Sequence, residues 1–455
     1  MGVFSALTTA VSGMRAQSYA LENISGNIAN SRTTGFKRLD TSFVDLIPDA
    51  PLNRELAGSV LSTSRSTNTI QGDISATSID TNIAINGDGF FIVAEKQGGV
   101  GASTTFKGTD LYTRRGDFDF DANGFLVNGA GYYLKGLSID PISGNPIGSQ
   151  AGVIRITNDQ LPAKQTASVE YRANIPTYPA TSNSDPLVPN SELLNAAGFG
   201  TNPVVTNTVV GSDLPVFFNR SIPGGSVTVY DNLGQASNLQ LRWAKEDSVA
   251  NGGVDTWSLF VAENTNATGA TVAYRRVPTS FTFDTAGQLT SAATITLPTV
   301  TINSVVVSGV NLTTGGNGMT QFADLNGQLQ ANSIRQDGYS SGVLERTSVS
   351  GDGKVVGNFS NGQVVALAQL SIARFNSANS LKRNDGGAFE QTLESGLPLV
   401  GTGNAALVGG SVEQSNTDIA DEFSKMIVTQ QAYSANTRVI STSQDMLRDV
   451  LSIIR

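Results

Sequence analysis

The chain has 455 residues, 39% of them apolar and 15% charged, enough for about three domains and too evenly apolar to be disordered. It contains no cysteine and no histidine, which excludes disulfides, thiol or imidazole catalysis and a Ser-His-Asp triad. Net charge is −9, with four basic and two acidic side chains in residues 1–40 and four and five in 415–455, so the interior 41–414 carries −10 and offers no basic stripe to a nucleic acid.

In the N-terminal segment Leu7, Met14, Leu21 and Ile28 recur at seven, Phe4 and Val11 open a companion column that continues with Ser18 and Ser25, and Ile24 widens the strip. That spacing predicts a helix over residues 1–30 with one narrow apolar seam. Residues 31–70 are polar and Ser/Thr-rich and are expected to form an extended connector, with a turn at "IPDAP" (47–51). Residues 71–147 alternate: "NIAINGDGFFIVAE" (82–95) and "TRRGDFDFDANGFLV" (113–127) each place apolar runs around a Gly-containing turn, the pattern of β-hairpins. Residues 150–335 are a second β region, with candidate strands at 226–230, 238–244, 257–262, 271–276 and 299–307, a turn in "VYDNLGQ" (229–235), and a Pro/Asn/Ser-rich loop or insertion at 177–215. Residues 340–408 return to the style of 71–147.

At the C-terminus Ile419, Met426, Tyr433, Ile440, Leu447 and Ile454 recur at seven, beside Phe423, Gln430, Thr437, Gln444 and Leu451. Acidic Asp418, Asp421 and Glu422 gather where a helix would start, a position that favours negative charge, and Asn416 or Thr417 could cap it. The two ends are therefore candidate mates along a seam of Phe4, Leu7, Val11, Met14, Leu21, Ile24 and Ile28 with Ile419, Phe423, Met426, Tyr433, Ile440, Leu447, Leu451 and Ile454. Ser, Thr and Gln interrupt that seam, so the pair alone buries little; the expectation is that both ends complete their folding against other copies of the chain. A self-contained two-helix stalk or a C-terminal dimer coil is the simpler alternative.

The expected class is mainly β with long terminal α-helices: a nested multidomain chain whose N- and C-terminal helices pair as a coiled coil, with β domains inserted. Residues 1–30 with 416–455 form the helical domain, 71–147 with 340–408 an inner β domain, and 150–335 an outer one. No stretch of 18 apolar residues predicts a membrane span, and no charged leader with an apolar core predicts a cleaved signal peptide.

Few motifs suggest chemistry. "RGD" (115–117) is short enough to occur by chance, and a hairpin flank explains it better. "DFDANG" (119–124) opens like a calcium loop, but Ala130 stands where the bidentate Glu belongs, so a tight turn is the better reading. The Gly runs at 98–101 and 351–353 lack the Lys of a phosphate cradle. No catalytic residues, cofactor or metal are expected.

"ALTTAVSGMRAQSYALENISGNIANSRTTGFKR" resembles the N-terminal signature of the flagellar rod and hook protein family, in the Asn-Ile-Ala-Asn run 27–30 and in Thr34, Gly35, Phe36 and Lys37. "QGDISATSIDTNIAINGDGFFIV" (71–93) resembles a second signature in Gln71, Gly72, Asp80, Ala84, Ile85, Gly87, Gly89 and Phe90. "YTRRGDFDFDANGFLV" (112–127) resembles a third in Thr113, Arg114, Gly116, Phe118, Gly124 and Leu126. "EFSKMIVTQQAYSANTRVISTSQDML" (422–447) is similar to the family's C-terminal axial helix, and "VTVYDNLGQASNLQLRW" (227–243) to the outer domain of its hook members. The insert favours a hook-type over a shorter rod-type member; a distal rod-type protein is the near alternative, a secreted β-rich adhesin or carbohydrate-binding protein the distant one. The resemblance implies a non-enzymatic homopolymer forming a curved, flexible tube that joins rotary motor to filament outside the cell. It also implies neighbours among rod and hook–filament junction proteins, a hook cap, and an export apparatus instead of a signal peptide, with no membrane insertion.

Overall fold

The computed structural model describes residues 3–46, 59–99, 104–141, 143–157, 160–302, 305–314, 318–401 and 405–453. The turn expected at 47–51, and Ile454 of the expected seam, lie outside them. The chain divides into two compact units, one of residues 1–159, 344–359 and 364–455, the other of 160–343 and 360–363.

The first unit carries the two long helices, Val3–Ala29 and Ile419–Ile453. Its main sheet runs, in spatial order, through Leu344–Val349, Lys354–Phe359, Val364–Leu370, Tyr132–Ser138, Phe90–Gly98, Leu111–Thr113, Ala388–Glu390 and Lys382–Arg383. Strands from both sides of the insert are thus interleaved, with Gly136 opposite Leu370 in antiparallel register. Two further pairs stitch the same halves together: Ile83–Asn86 with Ala406–Gly409, and Ile74–Ala76 with Ser411–Glu413. The core gathers Ile83, Phe91, Val93, Phe118, Leu134, Val355, Leu370 and Ile372, the apolar positions of segments that alternate in sequence. Gly116 is required by close approach, since a Cβ there would lie 1.7 Å from the Ile83 carbonyl oxygen.

Residues 39–66, expected as an extended connector, contain an antiparallel hairpin, Leu39–Leu46 with Ser59–Ser66. It lies on the N-terminal helix: Tyr19 Oη and Ser64 Oγ are 2.7 Å apart, and Asn23 Nδ2 donates to Thr41 Oγ1 at 2.9 Å.

Among its described residues the second unit is β apart from short helical turns. An antiparallel meander orders Thr208–Val210, Val272–Thr282, Thr256–Ala262, Ala236–Asp247 and Ile222–Tyr230. A second sheet is built on Ser168–Ile175, which pairs with Asn311–Thr313, Met319–Gln321 and Gln330–Gln336. The region expected as a loop at 177–215 holds the helical turn Pro203–Thr206 and the strand Thr208–Val210, and Leu194 and Val209 join a small core around Phe217, Phe260 and Tyr274. The tight turns share a device. The carboxylates of Asp121, Asp231, Asp284 and Asp324 each accept the backbone N–H two and four residues on, mimicking a backbone turn.

Tyr171 is the polar point of this unit's main core. Its hydroxyl donates to the Gly224 carbonyl at 2.7 Å and accepts from Trp243 Nε1 at 3.1 Å, and burial raises its pKa well above the ordinary tyrosine value. Tyr171→Phe leaves both partners unpaired and should cost about 1–3 kcal/mol. Both tryptophans, Trp243 and Trp257, lie in this unit, so urea unfolding followed by tryptophan fluorescence reads the loss directly; an unchanged midpoint would show that the hydroxyl does not matter.

Candidate functional site

The terminal helices pair side by side and antiparallel. Asn27 Nδ2 donates to Glu422 Oε2 at 2.9 Å near one end. Fourteen residues along each helix, a Cβ added to Gly13 would lie 3.0 Å from Asn436 Nδ2. One helix therefore advances in heptads as the other retreats, and Gly13, Ala20 and Asn27 share a line that faces Glu422, Thr429 and Asn436. Ala10, Ala16, Ala20, Ile24 and Asn27 are buried on one helix, Glu422, Thr429 and Ser443 on the other. The seam is small and polar.

This differs from the expected pairing. Leu7, Val11, Met14, Leu21 and Ile28 are half-buried on the flank of the N-terminal helix, as are Met426, Ile440 and Leu447 on the C-terminal one; Ile24 is buried. Phe4 is 71% exposed, Phe423 49%, and Ile419 and Tyr433 also face solvent. Only the helical position of Leu451 is described. The companion column on the C-terminal helix is Glu422, Thr429, Asn436 and Ser443, one residue before the one expected. Columns three and four residues from a given line flank it equally, and the closer approach of two backbones selects the side with small residues. The apolar side chains of Phe423, Ile427, Val428, Val439 and Met446 are left outside.

The helix start also differs. Asp418, not Asn416 or Thr417, caps it, its Oδ1 accepting from Ala420 N at 2.8 Å. Asn416 instead accepts from Arg38 N at 2.8 Å and donates toward Thr67 and Ile70.

Asn27 is fully engaged: besides Glu422, Nδ2 donates to the Leu39 carbonyl at 2.8 Å and Oδ1 accepts from Leu39 N at 2.9 Å. One amide thus ties the N-terminal helix, the hairpin and the C-terminal helix together.

Below this lies a buried ionic knot. Lys37, Arg114 and Glu413 have side chains 1%, 3% and 0% exposed. Lys37 Nζ is 2.5 Å from Glu413 Oε1, and Arg114 Nη1 is 3.2 Å from Oε2. Gly72 N also donates to Oε1 at 2.8 Å, and Gly35 N to the Glu413 carbonyl at 2.7 Å. The second cation is spread onto carbonyls: Arg114 Nη2 donates to Gly87 O at 2.7 Å and Lys37 Nζ to Ile70 O at 2.6 Å. Burial pulls the Lys37 ammonium below its ordinary pKa, Glu413 partly offsetting it. Gly35 is constrained twice, with φ +66° and the Arg114 backbone 2.7 Å from where a Cβ would stand. Arg383 stacks 4.8 Å above the Phe36 ring and donates to the Lys37 carbonyl. Sequence reasoning from pattern missed Glu413. Its one signal is isolation, as the single charged residue between Glu394 and Asp418.

The RGD tripeptide is closed on itself. Arg115 Nε and Nη2 each donate to the Asp117 carboxylate at 2.8 Å. Among the described residues no group of three acidic side chains gathers as a metal site, and no helix is long and apolar enough to cross a membrane.

Four family models match in chain order. They are the flagella basal body rod protein (residues 7–37), the flagellar hook protein FlgE/F/G D1 domain (84–169), the flagellar basal body protein FlaE D2 domain (224–339) and the flagellar basal body rod FlgEFG protein C-terminal (408–453). Relatives match over almost the whole length. The flagellar hook protein FlgE of Brucella suis is 30% identical across 99% of both chains, and that of Salmonella typhimurium 29% across 98% of both. The Escherichia coli K12 protein is 29% identical across 98% of this chain and all of its own. Among solved structures, Helicobacter pylori flagellar hook protein FlgE2 matches with a TM-score of 0.49 at 15% identity, over 73% of this chain and 98% of that one. With its four signatures in order and its relatives aligned end to end, the chain belongs to the flagellar hook protein FlgE family.

Proposed function

We propose that this chain polymerises, through its terminal helices, into a curved and flexible tube that transmits torque from rod to filament. Family membership makes it a non-enzymatic structural subunit of the hook, one that associates with copies of itself and with the rest of the flagellum. The finer picture rests on one observation: the helix pair buries mostly small and polar residues and leaves many of its large apolar ones outside. Phe4, Ile419, Phe423, Ile427, Val428, Val439 and Met446 are exposed, a surplus that monomeric proteins seldom carry on paired helices. Those columns are the surfaces that meet neighbouring subunits, in a contact that does not close and so extends as a helix of subunits. The helical domain of 1–30 with 416–455 forms the tube wall, the inner β domain of 71–147 with 340–408 and the outer one of 150–335 the layers around it. The tube lies outside the cell, between rod and hook–filament junction proteins, and grows beneath a cap from subunits delivered by the export apparatus.

Hydrogen exchange tests the assembly reading. In the monomer, amides of residues 3–29 and 419–453 should exchange at nearly unprotected rates, because the pair's own seam buries too little to hold it. In assembled hooks they should slow by two orders of magnitude or more, about 3 kcal/mol of added protection. Equal protection in both states would mean a self-contained stalk.

A further inference from the structure

The first unit carries an exposed apolar loop that its own fold does not use. Leu393 is 103% exposed, and Leu397, Leu399 and Val400 are exposed beside it. The loop is nonetheless rigidly shaped. Thr392 N donates to Ser395 Oγ at 3.0 Å and Ser395 N to Thr392 Oγ1 at 3.1 Å, a reciprocal box, and Thr392 Oγ1 donates to the Ser380 carbonyl at 2.8 Å. Ser395 is fully buried, and Leu399–Val400 pairs with Ala373–Arg374. A preformed turn that presents leucines to solvent pays little ordering entropy on binding.

The same unit holds a groove of about 450 Å³, within the size range of pockets that seat apolar groups, about 300–1,000 Å³. Its lining includes Phe120, Ala122, Arg155, Ile156 and Leu344, with the Asp121 carboxylate turned onto Asn123 N and Phe125 N. Arg155 stands at its rim, fixed by a 3.0 Å bond from Nε to the Asn123 carbonyl and by stacking over Phe125. The loop places Glu394 directly beside Leu393, and among the described residues no hydrogen bond or ion pair occupies that carboxylate. The groove lies against Leu344–Val349, the first strand of the main sheet, while the loop leaves Ala388–Glu390, next to the last. The loop returns through Leu399–Val400 to Ala373–Arg374, so knob and hole are separate surfaces of one unit with opposite charges beside them, which suits a head-to-tail contact between copies.

We infer that the Leu393–Val400 loop of one subunit seats in the Phe120–Ile156–Leu344 groove of the next, with Glu394 against Arg155. This rests on the hook reading above and names a contact within it, between inner β units and independent of the terminal helices.

The chain's lack of cysteine makes the test clean. Hooks are assembled in cells from a Leu393→Cys, Ala122→Cys double variant, isolated, oxidised and run on non-reducing gels. The double variant should give a ladder of dimers, trimers and higher species, either single variant none, and a mixture of the two singles dimers only. Adding Glu394→Lys or Arg155→Glu should lower the cross-linked fraction about two- to fivefold, the worth of an exposed ion pair, and combining the two reversals should restore it. Hooks of ordinary form that yield no ladder would overturn this contact and leave the hook reading intact. Failure of the unmodified chain to form hooks would remove both.

Discussion

Replacing Glu413 by Gln should destabilise the helix-bearing unit by about 3–5 kcal/mol. The carboxylate sits between Lys37 and Arg114 with essentially no solvent contact. Removing its charge leaves two buried cations facing each other and two backbone donors, Gly72 N and Gly35 N, anchored to a perturbed residue. Lys37→Met should cost less, about 1–3 kcal/mol, because Glu413 keeps Arg114 and Gly72 N, and the Ile70 carbonyl keeps Asn416 Nδ2. The pH dependence distinguishes charge from shape. Burial already lowers the Lys37 pKa from 10.5, and without Glu413 it falls further. The unfolded chain then binds more protons than the folded one between the lowered value and 10.5, so the variant's stability rises with pH across that window. The deficit should be largest at neutral pH and shrink toward pH 10.5. Scanning calorimetry checks this, with the tryptophan-bearing second unit as internal standard. A Glu413→Gln variant as stable as the parent at pH 7 would show that the knot is not an electrostatic anchor.

The second large effect is expected at Gly13. A Cβ there meets the Asn436 side chain at 3.0–3.3 Å, contact that the flexible amide relieves by a small shift. Gly13→Ala should thus be nearly neutral, the crowding balanced by the better helix propensity of Ala, worth about 1 kcal/mol. Gly13→Leu has no such room. It overpacks the seam by about 1–3 kcal/mol and forces the helices apart, breaking the line that also holds Asn27 to Glu422. On the assembly proposed above, that loss should abolish hooks altogether. Gly26 is the control for this seam: nothing lies within 4 Å of a Cβ added there, so Gly26→Ala should leave the helix pair undisturbed. Electron microscopy of cells carrying each variant decides it. Normal hooks from Gly13→Leu would mean that the two helices do not pack through this seam.

These two sites show what the sequence could and could not reveal. The helices were legible because heptad recurrence survives the interruptions, and the hairpin turns because Asp121-Ala-Asn-Gly124 and Asp231-Asn-Leu-Gly234 carry the acceptor and the positive-φ glycine the geometry requires. The buried column was not legible. Phe423 reads as core by hydrophobicity, whereas Gly13, Ala20, Thr429 and Ser443 read as surface; close helix approach rewards small volume, which apolar periodicity does not register. Family resemblance pointed to Asn27, Gly35, Lys37, Gly72 and Arg114 without saying why they matter. Their common partner, Glu413, lies more than 340 residues beyond Gly35, Lys37 and Gly72 and almost 300 beyond Arg114, a distance no local pattern spans. The hairpin at 39–66 was missed for a related reason: its register is set by Asn23 and Tyr19 on the helix and not by strong alternation of its own.

The interleaved sheet has a consequence for how the molecule comes into being. Tyr132–Ser138 finds its neighbour at Val364–Leu370, so a chain emerging amino end first cannot close that sheet until most of its length is free. The second unit, contiguous but for residues 360–363, has its partners close at hand. Long-range pairing is slow and local pairing fast. The late-emerging half thus acts as a latch: the first unit stays unfinished while the second is already formed.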